Sequence, residues 1–150
     1  MIHQTKHINI LYLHGFNSSP QSMKSLQTKA YFAENFHSIN FYSPQLASSP
    51  EKVIEQLDGL IANSNSEDEQ WFFIGSSLGG YFSTYLSEKY QGKAVLINPA
   101  VKPFDLMSDY LGEQTNPYTG EVYQVEQYFI ESLKNLEQKL KVTNSWREFR

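Results

Sequence analysis

The chain has no cysteine among its 150 residues, which excludes disulfides, thiolate metal sites and a thiol nucleophile together. It lacks a surplus of positive charge: 12 Lys and Arg stand against 16 Asp and Glu, for a net charge of −4. Phosphate contacts need clustered cations, so a nucleic-acid partner is not expected. No run approaches the ~18 consecutive apolar residues of a membrane span. The N-terminus Met1-Ile-His-Gln-Thr-Lys-His7 has no apolar core of the signal-peptide kind. These absences describe a cytoplasmic protein without a membrane partner. Histidine is scarce, and all four residues, His3, His7, His14 and His37, fall in the first quarter of the chain. No pair of histidines or carboxylates has metal-ligand spacing, so neither metal nor cofactor is expected.

What is present is Gly75-Ser76-Ser77-Leu78-Gly79, the G-x-S-x-G pattern that lifts a nucleophilic serine between a strand and a helix. Trp71-Phe-Phe-Ile74 before it reads as a buried parallel strand. Leu78, Tyr81, Phe82, Tyr85 and Leu86 after it recur at helical spacing. The glycines remove Cβ atoms that would collide with neighbouring backbone, and the new helix points free N–H groups at charge forming on a substrate. Neither a Walker A loop nor a dinucleotide-binding loop fits, because Tyr81 follows Gly80 and the glycines stand at 75, 79 and 80.

A length of 150 residues suits one domain, residues 1–150, able to bury roughly 70% of the surface it exposes when unfolded. Ile8 to Leu13 reads as a first strand, and Ser19-Pro20 as a helix start whose helix presents Met23, Leu26, Ala30 and Tyr31 on one face. Ile39 to Tyr42 is a second strand. Ser49-Pro50 opens a helix with the apolar stripe Val53, Ile54, Leu57, Leu60 and Ile61, and Ala94 to Ile97 is a fourth strand after Gly92. Strands alternating with helices imply right-handed crossovers and a mainly parallel sheet covered on both faces, an α/β three-layer sandwich. Asn98 to Gly120, rich in proline and aromatics, reads as an excursion over the sheet, and Val125, Phe129, Leu133, Leu136 and Leu140 as a last amphipathic helix.

His14-Gly15-Phe16-Asn17 follows the first strand, where the N–H of Phe16, or alternatively of Asn17, can face the N–H of Leu78 across a carbonyl oxygen. Losing one donor from such an oxyanion hole costs about 3 to 4 kcal/mol of transition-state stabilisation. His14 reads as a structural group of this loop, with a general base as the alternative. Asp105 and Asp109 suit a solvated face or a cap, and Tyr110, Tyr118 and Tyr123 either roof an acyl pocket or belong to the core, the core being preferred.

Five blocks together, Leu11 to Pro20, Ile74 to Tyr81, Asn98 to Phe104, Asp109 to Gly112 and Asn116 to Gly120, resemble the YqiA-type bacterial esterases, the UPF0227 group of small α/β-hydrolases. The resemblance runs from about Ile8 to near Leu136. It implies an α/β-hydrolase-like fold and cleavage of short acyl esters or thioesters by a Ser-Asp-His triad. Ser77 carries over as nucleophile, with the Phe16 and Leu78 amides as oxyanion donors; substrate-binding residues stay unassigned. The family's later strands, which bring the triad Asp and His, have no counterpart here. The expectation is therefore an incomplete domain lacking its last strands, with Val142 onward outside the family pattern. Its activity is expected to be impaired, and its exposed sheet edge at Ala94 to Ile97 prone to self-association. The alternative is a non-catalytic remnant binding an acyl ligand or a partner.

Overall fold

A computed structural model of the protein describes residues 6–64 and 67–139. The chain alternates β1 (His7–Leu13), α1 (Met23–Asn35), β2 (Ile39–Tyr42), α2 (Pro50–Ala62), β3 (Glu69–Ser76), α3 (Leu78–Tyr90) and β4 (Lys93–Ile97). The four strands form one sheet in the order β2-β1-β3-β4, and every pairing is parallel. The first crossover moves from β1 outward to β2, and the second returns past β1 to β3. Right-handed crossovers in opposite directions deliver their helices to opposite faces. The reversal leaves a switch point between β1 and β3, and in open α/β sheets ligands bind in the crevice beyond the strand ends there.

On one face Leu11, Leu13, Trp71 and Phe73 pack with Val53, Leu57 and Ile61 of α2 and with Phe82 and Leu86 of α3. The last described helix, α5 (Gln127–Lys139), joins this core through Phe129, Ile130, Leu133 and Leu136. The Tyr81 hydroxyl ties α3 to α5 by donating to the Leu133 carbonyl at 2.6 Å.

The opposite face departs from expectation. Ser19-Pro20 forms a turn before α1, in which Ser19 Oγ accepts from the Gln21 amide at 2.8 Å, so the helix begins only after Ser22. α1 turns Ser25, bonded to the Ser43 hydroxyl at 2.8 Å, and Phe32 toward the sheet. Met23, Leu26 and Tyr31, expected inside, are 73%, 45% and 56% exposed, and Ala30 is exposed as well. A small serine lets the helix backbone approach where a larger side chain would hold it away. Among the described residues α1 is the one helix over this face. An apolar groove of about 290 Å³ stays open between Phe32 of α1 and its C-cap Phe36 on one side and Phe72 and Val95 of the sheet on the other. β4 is an edge among the described strands, with Val95 half exposed.

The excursion after β4 contains a short α4 (Pro103–Ser108) and an antiparallel hairpin, β5 (Gly112–Thr115) and β6 (Val122–Val125). The hairpin loop is organised by buried Asn116, whose Oδ1 accepts from the Tyr118 and Thr119 amides at 2.8 and 3.2 Å. Val125, expected in the last helix, instead ends β6 and is buried. Leu140 and the stretch from Val142 lie outside the described residues. No described helix is long and apolar enough to cross a membrane.

Candidate active site

Ser77 stands at the switch point, between the end of β3 and the first residue of α3. Its backbone lies at φ 53° and ψ −119°, a region that costs a non-glycine residue of order 1–3 kcal/mol and persists only when its surroundings impose it. Three hydrogen bonds impose it here. The Ser77 amide donates to the Ile97 carbonyl at 3.1 Å, and the Ser77 carbonyl accepts from the Gly80 and Ala100 amides, each at 3.0 Å. The flanking glycines are required by crowding: a Cβ on Gly75 would strike the Gly79 carbonyl and Ser83 Oγ, and one on Gly79 would strike the carbonyls of Leu13 and His14.

The loop after β1 closes on the same point. A Cβ placed on Gly15 would lie 3.3 Å from Ser77 Cβ and 3.8 Å from Ser77 Oγ, so the Gly15 backbone runs directly against the serine side chain. Phe16 and Asn17 are the central residues of a turn in which the Ser18 amide donates to the Gly15 carbonyl at 3.3 Å. Leu78 opens α3, where the first N–H groups have no partner within the helix. Ser77 and Phe16 line a cleft of about 350 Å³ together with Ser22, Lys24 and Tyr118, a volume within the usual range for small-ligand sites. Among the described residues, no group of three or more His, Cys, Asp or Glu could hold a metal ion.

His14 is buried beside this cleft with both ring nitrogens engaged. Nδ1 lies 2.8 Å from the Gly15 carbonyl, which can only accept, so Nδ1 carries the proton and donates. Nε2 then accepts from the Leu46 amide at 3.0 Å and from the Gln45 amide group at 3.2 Å. The imidazole thus spans the β1 and β2 loops and has no free nitrogen for the Ser77 proton. Burial lowers its pKa below the usual 6.5, opposed by the bond to Gly15. The unfolded chain takes up the proton first as pH falls, so this contribution to stability is complete above pH 6.5 and declines below it. Melting temperature is expected to drop from about pH 6.5 downward. An NMR titration placing the His14 ring at or above that value would contradict the burial argument.

Asp105 and Asp109 are both exposed, Asp105 in the first turn of α4 and Asp109 at its C-cap. The three tyrosines separate. Tyr110 and Tyr118 are 38% and 53% exposed, contrary to the preference for core, and Tyr123 is partly buried. Tyr110 and Tyr123 pack around Phe16, with ring centroids 5.1 and 6.2 Å away. Sequence reasoning missed Gln45 and Leu46 and the anchoring roles of Asn116 and of Tyr123, which it weighed as pocket roof or core, all remote in sequence from the loop they hold. Asn116-Pro117 carried one usable signal, since asparagine commonly caps its own turn.

Structural comparison places the fold. A candidate hydrolase from Agrobacterium vitis S4 superposes with a TM-score of 0.62 at 17% identity, covering 87% of this chain and 61% of that one. Mouse alpha/beta hydrolase domain-containing protein 10 superposes at 0.59 with 15% identity, covering 85% and 61%. At such identity the likeness establishes an α/β-hydrolase fold. In sequence, a UPF0227 protein from Pectobacterium atrosepticum is 26% identical over 100 residues, 66% of this chain and 54% of the relative. The chain therefore spans about half the length of that curated relative. The model of an uncharacterised protein family, UPF0227, matches residues 9–145, continuing past Leu136, where the resemblance was expected to end, and past Val142, from which the chain was expected to lie outside the family pattern. With more than half of its length matched by that family, the chain belongs to UPF0227.

Proposed function

We propose that the protein is a cytoplasmic serine hydrolase of the esterase or thioesterase type. Ser77 is the nucleophile and the amides of Phe16 and Leu78 are the oxyanion donors, with short acyl esters or thioesters as substrates. The observation that carries this reading is the backbone of Ser77, held at φ 53° at the β1/β3 switch point with its side chain against Gly15. In the reaction Ser77 Oγ attacks the acyl carbon, the carbonyl oxygen takes the negative charge, and collapse breaks the bond to the alkoxide or thiolate, which takes up the proton lost from Ser77 through solvent. Water then adds to the acyl-serine carbonyl, and collapse releases the carboxylic acid while a proton returns to Ser77 Oγ. Lys24 lines the cleft, which favours neutral or anionic esters over cationic ones.

Among the described residues no histidine is free beside Ser77 to take its proton. Every histidine precedes Ser77, and His14 is committed to its loop. Acylation by an activated ester can still proceed slowly, while deacylation, which needs an activated water, stalls. The test is mass spectrometry after exposure to p-nitrophenyl acetate. One acetyl group per chain on the Ser77 peptide, absent from Ser77→Ala, is expected. Acetyl groups scattered over lysines, equally in both proteins, would sink the reading.

A second reading, a partner-binding module, is favoured by the open groove of Phe32, Phe36, Phe72 and Val95 beside the β4 edge. An unpaired apolar edge templates strand addition. Light scattering after size exclusion is expected to show species heavier than a monomer that grow with concentration, and Val95→Lys is expected to reduce them. A monomer at every concentration would remove this reading.

A further inference from the structure

We propose that the β5–β6 hairpin is the clamp that sets the oxyanion loop, with Asn17 and Tyr123 as positioning residues that fix where the Phe16 amide points. The inference rests on the esterase reading for its chemical meaning.

The Gly15 to Ser18 turn is weakly closed by itself. Its one backbone bond is 3.3 Å long, and Asn17 sits at φ 51°, a left-handed conformation that asparagine tolerates better than most residues. Such a turn has several conformations open to it, whereas an oxyanion donor must lie within about 2.7–3.1 Å of the developing charge. The missing constraint comes from the hairpin. The Tyr123 hydroxyl donates to Asn17 Oδ1, Asn17 Nδ2 reaches Gln114 Oε1 at 3.4 Å, and Asn116 Nδ2 donates to the Ser18 carbonyl at 3.0 Å.

The hairpin therefore grips the turn at two consecutive residues. The ring of Phe16, the residue whose amide is at issue, is packed by Tyr123 at 6.2 Å. Asn116 is itself locked by the two amides of its own loop, so the grip transmits no slack from the hairpin tip. Burial pushes the Tyr123 pKa up to about 12, which keeps the hydroxyl a donor throughout the neutral range.

Two changes separate positioning from mere packing. Tyr123→Phe keeps the ring and removes only the hydroxyl, and Asn17→Gly keeps the left-handed backbone while removing both side-chain bonds. On the full chain, exchange of the Ser18 amide, the bonded amide that closes the turn, is expected to accelerate about tenfold in either variant. The maximal rate of Ser77 acetylation is expected to fall about tenfold, less than the ~10²-fold loss of a donor outright. The half-saturating ester concentration should stay within about twofold, because the contact matters to the transition state alone. Asn17→Asp, which retains the acceptor for Tyr123, is expected to lose less than Asn17→Gly.

Unchanged exchange together with unchanged acetylation in Tyr123→Phe overturns the clamp. So does a loss confined to the half-saturating concentration, or an Asn17→Asp as impaired as Asn17→Gly. If the unaltered chain acetylates no Ser77 at all, the esterase reading fails and amide exchange alone decides: faster exchange upholds the clamp, and unchanged exchange removes it.

Discussion

The 150-residue chain is expected to turn over p-nitrophenyl acetate about 10⁶-fold more slowly than an α/β-hydrolase with a complete triad. A serine hydroxyl attacks only as fast as its proton can leave, and among the described residues no histidine has a ring nitrogen free beside Ser77 to take it. The histidines precede Ser77, and the ring of His14, the one beside the cleft among the described residues, donates to Gly15 and accepts from Leu46. What remains is the oxyanion hole, which by itself can leave about 10³-fold acceleration over water. Because triad members act as a unit, Ser77→Ala should lower this small rate only modestly, although it removes the trapped acetyl group. Steady-state nitrophenolate release decides the matter. Turnover near that of a complete enzyme, lost in Ser77→Ala, would reveal a base that neither the sequence nor the cleft suggests.

Gly79→Ala is expected to prevent folding, against the ordinary preference of helices. Alanine is favoured over glycine in a helix by about 1 kcal/mol, so on propensity the change should help α3. The Cβ, however, would enter the space of the Leu13 and His14 carbonyls at the end of β1. Neither can retreat, because Leu13 is paired in the central strand and His14 is fixed through its ring. Overpacking commonly costs 1–3 kcal/mol, and a backbone collision belongs at or beyond about 3 kcal/mol. The collision wins. Gly59→Ala on α2 is the control, since nothing lies within 4 Å of a Cβ there; it should raise stability by about 0.5–1 kcal/mol. Urea melts compare the three proteins, and a Gly79→Ala as stable as the parent would contradict the close approach of α3 to β1.

The parts of the fold visible in the sequence are those written in local periodicity. α2 and α3 bury the expected Val53, Leu57, Ile61, Phe82 and Leu86, and β2 runs over the expected Ile39–Tyr42. α1 misled because its apolar residues have helical spacing, yet a serine–serine contact sets its rotation and leaves Met23, Leu26 and Tyr31 in solvent. The hairpin was hidden because Gly-Glu-Gln-Thr of β5 is polar and lacks the alternation of a half-buried strand. At the site, the turn around Ser77 and its approach by Gly15 were legible, since both are short motifs with steric reasons. The anchoring of His14 by Leu46 and of Asn17 by Tyr123 spans 32 and 106 residues, and no local pattern encodes a partner at that distance.

That last separation bears on how the protein comes into being. Asn17 and Tyr123 are 106 positions apart, and synthesis at about 5–20 residues per second leaves some 5–20 s between their appearance. Throughout that interval the nascent chain can pair β1 with β2 and then with β3, but the loop after β1 waits for the hairpin. Contacts of such long range are also entropically the slowest to close. Assembly is thus vectorial: scaffold first, oxyanion turn last, with the reactive geometry withheld until nearly all of the described chain has left the ribosome.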